Sequence, residues 1–201
     1  VEKVEIVEND RKIIGVMHIP STGMLDSILI TCHGLLSTKD SEKYVEIADV
    51  FVKNEIPVLR FDFSGCGESS GDFYKSTLSS RIKDLEIVIN YVKKRNFRNI
   101  CLLGSSLGGT ISIIVAPDYP EIKAVVTWAA PSILSELAPF VKQMFGERFA
   151  EDFDKYDVLS YAERLRGLLV IHGTRDEIVP VQHAHKLYAV NLRCLLYTSP
   201  S

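Results

Sequence analysis

The sequence lacks the features typical of membrane-spanning, secreted and nucleic-acid-binding proteins. No apolar run approaches the ~18 residues of a membrane-spanning helix, and the N-terminal stretch VEKVEIVEND has no apolar signal-peptide core. Basic residues are not in excess, because 23 Lys and Arg are set against 26 Asp and Glu, which leaves a net charge of −3. This charge provides no basic surface for nucleic acid or an anionic membrane. We therefore expect a cytoplasmic protein that acts on a small molecule; its oligomeric state stays unknown.

Closely spaced cysteine pairs are also missing. The sequence has 4 cysteines and no CxxC pair, which argues against a disulfide framework and against a zinc site. The cysteines, predicted to be reduced thiols, are Cys32, Cys66, Cys101 and Cys194.

The sequence does contain a repeated alternation of strands and helices. Residues 2–8 and 11–19 alternate apolar and polar side chains around an Asn-Asp turn, which predicts an antiparallel hairpin. Segments with helical spacing then separate short apolar runs that are typical of strands buried on both faces of a parallel sheet. These runs are residues 27–32, 57–63, 99–104, 123–130 and 167–173. We predict an α/β fold with a mostly parallel sheet flanked by helices, and ligands at the carboxyl ends of the strands.

Residues 131–166 are too many for a simple connection. Apolar side chains recur there at intervals of three and four, from Ile133 to Phe145, and predict a helical insertion. The insertion either packs on the sheet or forms a lid over the active site. The two alternatives are compatible, because a lid must also bury an apolar face.

The stretch CLLGSSLGGT, residues 101–110, follows a predicted strand and opens a predicted helix. A nucleophilic hydroxyl in such a sharp turn needs small residues two positions before and two after it. Gly104 and Gly108 meet this need for Ser106, whereas a turn centred on Ser105 would have leucine at both positions. We predict Ser106 as the nucleophile; the alternative is a glycine-rich turn with incidental serines.

The loop after the first parallel strand has the sequence TCHGLLS, residues 31–37. Such a loop can direct a backbone N–H at an oxyanion. We predict that Leu35 provides this N–H and that Leu107, the residue after the nucleophile, provides the second. Gly34 is a supporting residue of this loop, and we expect His33 to order the loop rather than to act as the base.

Nucleotide cofactors are not indicated. The stretch GCGESSG, residues 65–71, has the spacing GxGxxxG, and neither glycine cluster follows the first parallel strand with an acidic residue placed to hold a ribose. A P-loop would need Gly-Lys-Ser or Gly-Lys-Thr, which is absent. We predict no cofactor and no metal.

The stretch LLVIHGTRDEIVP, residues 168–180, is a predicted buried strand followed by a loop with two acidic residues. A carboxylate at this place can hold an imidazole in its working tautomer and stabilise the imidazolium. Asp176 is the stronger candidate and Glu177 the weaker. The alternative is an exposed acid or a helix cap.

Together these motifs resemble the α/β-hydrolase family. They occur in the order His33-Gly34, then RFDFSGCGES at 60–69, then Gly-Ser-Ser-Leu-Gly around Ser106, then His-Gly-Thr-Arg-Asp176. The chain is most similar to small carboxylesterases of the cinnamoyl or feruloyl esterase and monoacylglycerol lipase kind, which have a helical insertion after the sixth strand. The resemblance implies an acyl-enzyme on Ser106, Asp176 as the acid, and Leu35 and Leu107 as oxyanion donors.

The catalytic base is the missing member. In this fold the triad runs Ser, Asp, His, and the His should follow the acid after a helix and a returning strand, a path of about 20 to 30 residues. Only 25 residues follow Asp176, and none of the last sixteen is His. The five histidines of the sequence lie in the hairpin, at strand ends or at the start of the helix after the acid loop. A histidine at any of these places is poorly positioned to act as the base. The five are His18, His33, His172, His183 and His185.

The C-terminal residues 194–201, CLLYTSPS, resemble the in-frame translation of a transposase sequencing-library adapter. We therefore expect one α/β-hydrolase domain over 1–193, with the last strand, the last helix and the catalytic His missing and Cys194 not native. The chain as given should have little activity, since losing the base costs about as much as losing the triad. It should also dissolve poorly, because an uncovered sheet edge and apolar face promote association.

The sequence thus favours a serine hydrolase that cleaves carboxylic esters, with a hydrophobic or aromatic acyl group. A serine peptidase of the same fold is the alternative within the enzyme class. A noncatalytic binding module that kept the fold is the alternative outside it.

Overall fold

The chain begins with the antiparallel hairpin that the alternating residues predict. In the computed structural model, which describes residues 1–22 and 26–200, β1 (Glu2–Glu8) pairs with β2 (Arg11–His18). Asn9 in the intervening turn has a φ of 54°, a left-handed conformation that Asn adopts more readily than most residues.

Six further strands extend the hairpin into an eight-stranded sheet with the order β1-β2-β4-β3-β5-β6-β7-β8. They are β3 (Ser27–Cys32), β4 (Val58–Phe61), β5 (Asn99–Ser105), β6 (Ile122–Trp128), β7 (Leu168–Gly173) and β8 (Cys194–Ser199). β2 runs antiparallel to β4, and all later neighbours are parallel. The carboxyl ends of β3, β5 and β7 therefore bring the loops that follow them to one edge of the sheet.

A strand follows residue 193, where the sequence pattern predicted none; that the last strand and the last helix of the natural domain are missing stays a prediction. Residues 194–199 form β8, parallel to β7, with Cα partners from Leu168 and Cys194 to Gly173 and Ser199. The physical reason is that β7 otherwise presents a row of unpaired backbone groups, which an extended segment satisfies. Leu195 and Tyr197 of β8 remain largely exposed. The non-native origin of 194–201 stays a prediction, and residue 201 lies outside the described residues.

Helices cover both faces of the sheet. They are α1 (Glu42–Lys53), α2 (Leu78–Lys94), α3 (Leu107–Val115), α4 (Leu134–Phe145), α5 (Val158–Glu163) and α6 (Gln182–Val190). α1 buries its apolar side chains against Leu29 of β3, whereas Ile28 and Ile30 of the same strand belong to the larger core on the opposite face. Within the described ranges, no helix is long and apolar enough to cross a bilayer.

The insertion after β6 contains α4 and α5 and is fastened to the body. The carboxylate of Asp152 accepts hydrogen bonds from the backbone N–H groups of Leu78 at 3.1 Å and Ser79 at 2.8 Å. These amides belong to the first turn of α2 and have no acceptor inside their own helix. Asp152, which follows α4 in the insertion, thus attaches this part of the insertion to the start of α2.

Candidate active site

Ser106 occupies a sharp turn between β5 and α3. Its φ of 51° and ψ of −126° lie in a region that residues other than glycine rarely adopt. A Cβ added at Gly104 would collide with the backbone at Gly108, and one added at Gly108 would collide with the carbonyl oxygens of Cys32 and His33. The small residues on either side of Ser106 are therefore required by close backbone contacts. Strain of this kind persists where surrounding packing enforces it, often at functional sites.

The two neighbouring serines have different surroundings. The Ser105 side chain lies in the interior, and its Oγ accepts a hydrogen bond from Nζ of Lys43 at 2.8 Å. The Ser106 side chain is half-buried and lines a cavity. Its backbone N–H donates to the carbonyl of Trp128 at 2.8 Å, which holds the turn against the end of β6.

The loop after β3 lies directly against Ser106. A Cβ at Gly34 would come within 3.3 Å of Cβ of Ser106. The neighbouring His33 ring accepts the N–H of Phe63 on Nε2 at 3.1 Å, so Nδ1 carries the proton and donates to the Gly34 carbonyl at 2.7 Å. Burial lowers the pKa of His33 to about 4. Both ring nitrogens are thus used to hold the loop.

The two predicted oxyanion donors lie beside the same cavity as Ser106. Leu35 and Leu107 both line it. Leu107 is the first residue of α3, so its amide has no acceptor within the helix. The structure therefore brings together the residues of the predicted nucleophile turn and the predicted oxyanion loop.

Asp176 lies in a surface turn that follows β7. Its Oδ1 accepts the backbone N–H groups of Ile178 at 3.0 Å and Val179 at 2.9 Å. Its Oδ2 is 3.8 Å from Nε2 of His172, but that nitrogen is bonded to the Val179 carbonyl at 2.6 Å. Asp176 does not line the cavity, whereas Ile178 in the same turn does. The weaker candidate, Glu177, is exposed.

His183 lies beside a carboxylate and a serine, and its hydrogen bonds hold the start of the insertion. Its Nδ1 accepts the backbone N–H groups of Ser132 at 3.1 Å and Ile133 at 3.2 Å, and its Nε2 is 3.4 Å from Glu136 Oε2. The hydroxyl of Ser132 donates to the His183 carbonyl at 3.0 Å. His183 therefore fastens the start of the insertion to α6.

The remaining histidines are also engaged elsewhere or exposed. The Nε2 of His18 faces Nε of Arg60 at 3.2 Å in the interior, and His185 is on the surface of α6. None of the hydrogen bonds or ion pairs among the described residues joins a histidine to Ser106. In residues 1–22 and 26–200, no group of three or more His, Cys, Asp or Glu side chains is arranged to hold a metal.

A cavity of about 280 Å³ opens at Ser106. Apolar side chains of the insertion form much of its wall, namely Leu134, Leu137, Phe140, Val141, Phe145 and Phe153. A neighbouring cavity of about 470 Å³ lies within the insertion and shares Leu134 and Phe153 with the first. The insertion thus both packs on the body and covers the turn at Ser106.

Sequence reasoning missed two residues of the cavity region. Lys43 of α1 lines the cavity, and its ammonium is 5.5 Å from the ring centroid of Trp128 at the end of β6. One signal for Lys43 was available, because a lysine in the first turn of a helix opposes the helix dipole. No local pattern indicated that α1 begins beside the ends of β5 and β6.

Comparisons with known proteins agree with this geometry. The family model described as "Serine aminopeptidase, S33" matches residues 24–161. The chain belongs to that family. Its fold is the α/β-hydrolase fold predicted from the motifs, as the solved structures below also show.

Relatives and solved structures similar to this chain cover most of its length. The uncharacterized protein YfhR of Escherichia coli K12 is 28% identical over 94% of this chain and 68% of its own length. Est1E from Butyrivibrio proteoclasticus, solved with ferulic acid bound, superposes with a TM-score of 0.87 at 19% identity, covering 98% of this chain and 88% of Est1E. The Pyrococcus furiosus esterase Pf2001 has a TM-score of 0.80 at 25% identity, over 100% of this chain and 82% of Pf2001.

Proposed function

We propose that this family member hydrolyses carboxylic esters through an acyl-enzyme on Ser106. The observation that carries the proposal is the enforced positive φ of Ser106, which presents its side chain to an otherwise largely apolar cavity. An exposed hydroxyl on such a turn is the arrangement that acyl transfer requires. The esterases among the similar structures support an ester as substrate.

The reaction follows from the groups around Ser106. Its Oγ bonds to the carbonyl carbon of the ester, and its proton passes to a base. The carbonyl oxygen becomes an oxyanion that the N–H groups of Leu35 and Leu107 stabilise, each donor being worth about 3 to 4 kcal/mol. The tetrahedral intermediate then expels the alcohol, which takes the proton from the base. Water attacks the acyl-enzyme in the same way and releases the carboxylic acid.

We further propose that the base is a histidine beyond residue 193 of the natural protein, oriented by Asp176. The hydrogen bonds of the described histidines support this, because none of these rings is bonded to Ser106. The 201-residue chain itself should therefore turn over esters very slowly.

The apolar wall of the cavity favours a hydrophobic or aromatic acyl group. The side chains of Phe140, Phe145 and Phe153 offer rings against which such a group can pack. Est1E, which binds ferulic acid, is a precedent on the same fold. A serine peptidase is the second candidate, since the matching family is named for an aminopeptidase.

Rescue by free imidazole tests this function on the chain as it exists. We expect imidazole to replace the missing base and to accelerate the release of 4-nitrophenol from 4-nitrophenyl butyrate. Ser106→Ala should abolish the protein-dependent rate, whereas Ser105→Ala should keep most of it. An aminoacyl 4-nitroanilide measured in parallel separates esterase from peptidase.

Two results would contradict the proposal. Equal imidazole-dependent rates for the unmodified chain and Ser106→Ala would show that Ser106 is not the nucleophile. Rapid turnover without imidazole would show that the base is already present in the 201 residues.

A further inference from the structure

Lys43 stands at a position where helix stability disfavours a lysine. It is the second residue of α1, and the first turn of a helix bears a partial positive charge. The ends of the same helix follow the favourable rule, with Glu42 in the first turn and Lys53 in the last. Local stability of α1 therefore does not account for Lys43.

Among the described residues, the groups that contact the ammonium of Lys43 are neutral. Its Nζ donates to Oγ of Ser105 at 2.8 Å and lies 5.0 Å and 5.5 Å from the ring centroids of Tyr44 and Trp128. In the part of the chain that the structure describes, no carboxylate lies within 4 Å of it. Burial lowers the pKa of this amine, as expected for a desolvated cation without a counter-ion.

Lys39, four residues earlier, is a buried lysine that has counter-ions, in contrast to Lys43. Its side chain is buried, and its Nζ has three carboxylates, at 2.7 Å from Asp40, 3.0 Å from Asp62 and 2.8 Å from Glu68. The pKa of Lys39 is raised accordingly. Lys43 differs because it faces a cavity and has no counter-ion among the residues that the structure describes.

The cavity offers Lys43 a place for an anion. Lys43, Ser105 and Ser106 form a polar strip in a wall that is otherwise mostly apolar. The hydrogen bond to Ser105 uses one of the three ammonium protons, so two donors remain. A carboxylate is an acceptor that such donors hold by charge-assisted hydrogen bonds.

We propose that Lys43 selects substrates that carry a carboxylate, so that the preferred ester combines an apolar chain with a negative charge close to the ester bond. This inference rests on the proposed function, because a bound carboxylate is part of a substrate only if the protein hydrolyses esters. The binding of a carboxylate itself does not require turnover, so the two can fail separately.

The test uses two ligands that differ in charge, hexanoate and hexanamide, titrated at pH 7.5. Trp128 is the single tryptophan of the sequence and its ring faces Lys43, so its fluorescence reports binding near the ammonium. We expect hexanoate to bind about tenfold more tightly than hexanamide, a modest share of what a charge-assisted hydrogen bond can provide. Lys43→Met should abolish this preference, and Lys43→Arg should keep most of it.

Lys53→Met is the matched control, because it removes the same charge from the exposed end of the same helix. It should leave the tenfold preference intact, while circular dichroism verifies that each variant is folded. Equal affinities for the two ligands, no binding of either, or a preference that survives Lys43→Met would overturn the proposal. If Ser106 is inert in the imidazole assay while the preference is found, the proposed function fails and the carboxylate site stands.

Discussion

The Ser106 half of the candidate site is packed into the interior, whereas the Asp176 half is a surface turn. Gly108 packs closely against the backbone of the loop after β3. Both nitrogens of the buried His33 ring are engaged in hydrogen bonds with backbone groups, those of Gly34 and Phe63. Asp176 is held by the two amides of its own turn. Long-range packing thus determines the Ser106 half, and short-range hydrogen bonds determine the Asp176 half. Perturbing the first half should therefore cost more stability than perturbing the second.

The largest effect is expected from Gly108→Ala. Its new Cβ would meet the carbonyl oxygens of Cys32 and His33, which are backbone atoms that cannot rotate away. We expect a loss of about 3 kcal/mol or more in the free energy of unfolding, measured by urea denaturation.

Gly146→Ala is the control for Gly108→Ala. Gly146 has a φ of 90° and a ψ of 163°, a conformation that residues other than glycine rarely adopt, but among the described residues no atom lies within 4 Å of an added Cβ, so backbone strain of about 1 to 2 kcal/mol should appear without a packing clash. Equal losses in the two variants would show that packing at Gly108 is not decisive.

The second-largest effect is expected from a decrease in pH, which should lower the free energy of unfolding through His33 in the Ser106 half. Burial lowers the pKa of His33 to about 4, from about 6.5 in the unfolded chain, so the folded state binds fewer protons between these values. The contribution is fully present above about pH 6.5 and is lost as the pH falls toward 4, by roughly 2 to 3 kcal/mol. Urea denaturation measured across this window checks the slope.

His33→Gln tests whether His33 produces that slope. A glutamine offers one donor and one acceptor without titrating, so stability should fall less steeply between pH 6.5 and 4. The exposed His185→Gln should leave the slope unchanged. An undiminished slope in His33→Gln would assign the acid sensitivity to other groups, such as the buried His18 and His183, whose pKa values burial also lowers.

The smallest effect is expected from Asp176→Ala. The substitution leaves the amides of Ile178 and Val179 without their acceptor, but the turn is near the surface, where water replaces part of the loss. We expect about 1 kcal/mol of destabilisation, and less than about 0.5 kcal/mol for the neighbouring Glu177→Ala. A loss as large as that of Gly108→Ala would remove the contrast between the halves.

The sequence predicted strands β1 to β7 and the sharp turn at Ser106, because both depend on local patterns. A nearly continuous apolar run such as residues 27–32 is typical of a strand buried on both faces, and the glycines two positions before and after Ser106 provide the small residues that a sharp turn needs. The loop that contains Asp176 follows a buried strand, as the same kind of pattern predicted, and the role of Asp176 as the acid stays a prediction.

The contacts between these motifs and distant parts of the chain could be seen only in the tertiary structure. β8 forms because the open edge of β7 lies alongside residues 194–199, and edge pairing depends on a neighbour that no local pattern specifies. Lys43 reaches the cavity because α1 begins beside the end of β5, where Ser105, its hydrogen-bond partner, lies 62 residues later in the chain. His183 is bonded to the insertion 51 residues before it rather than to Ser106. Local patterns fix which elements form, whereas contacts between distant residues are fixed by the packing of those elements.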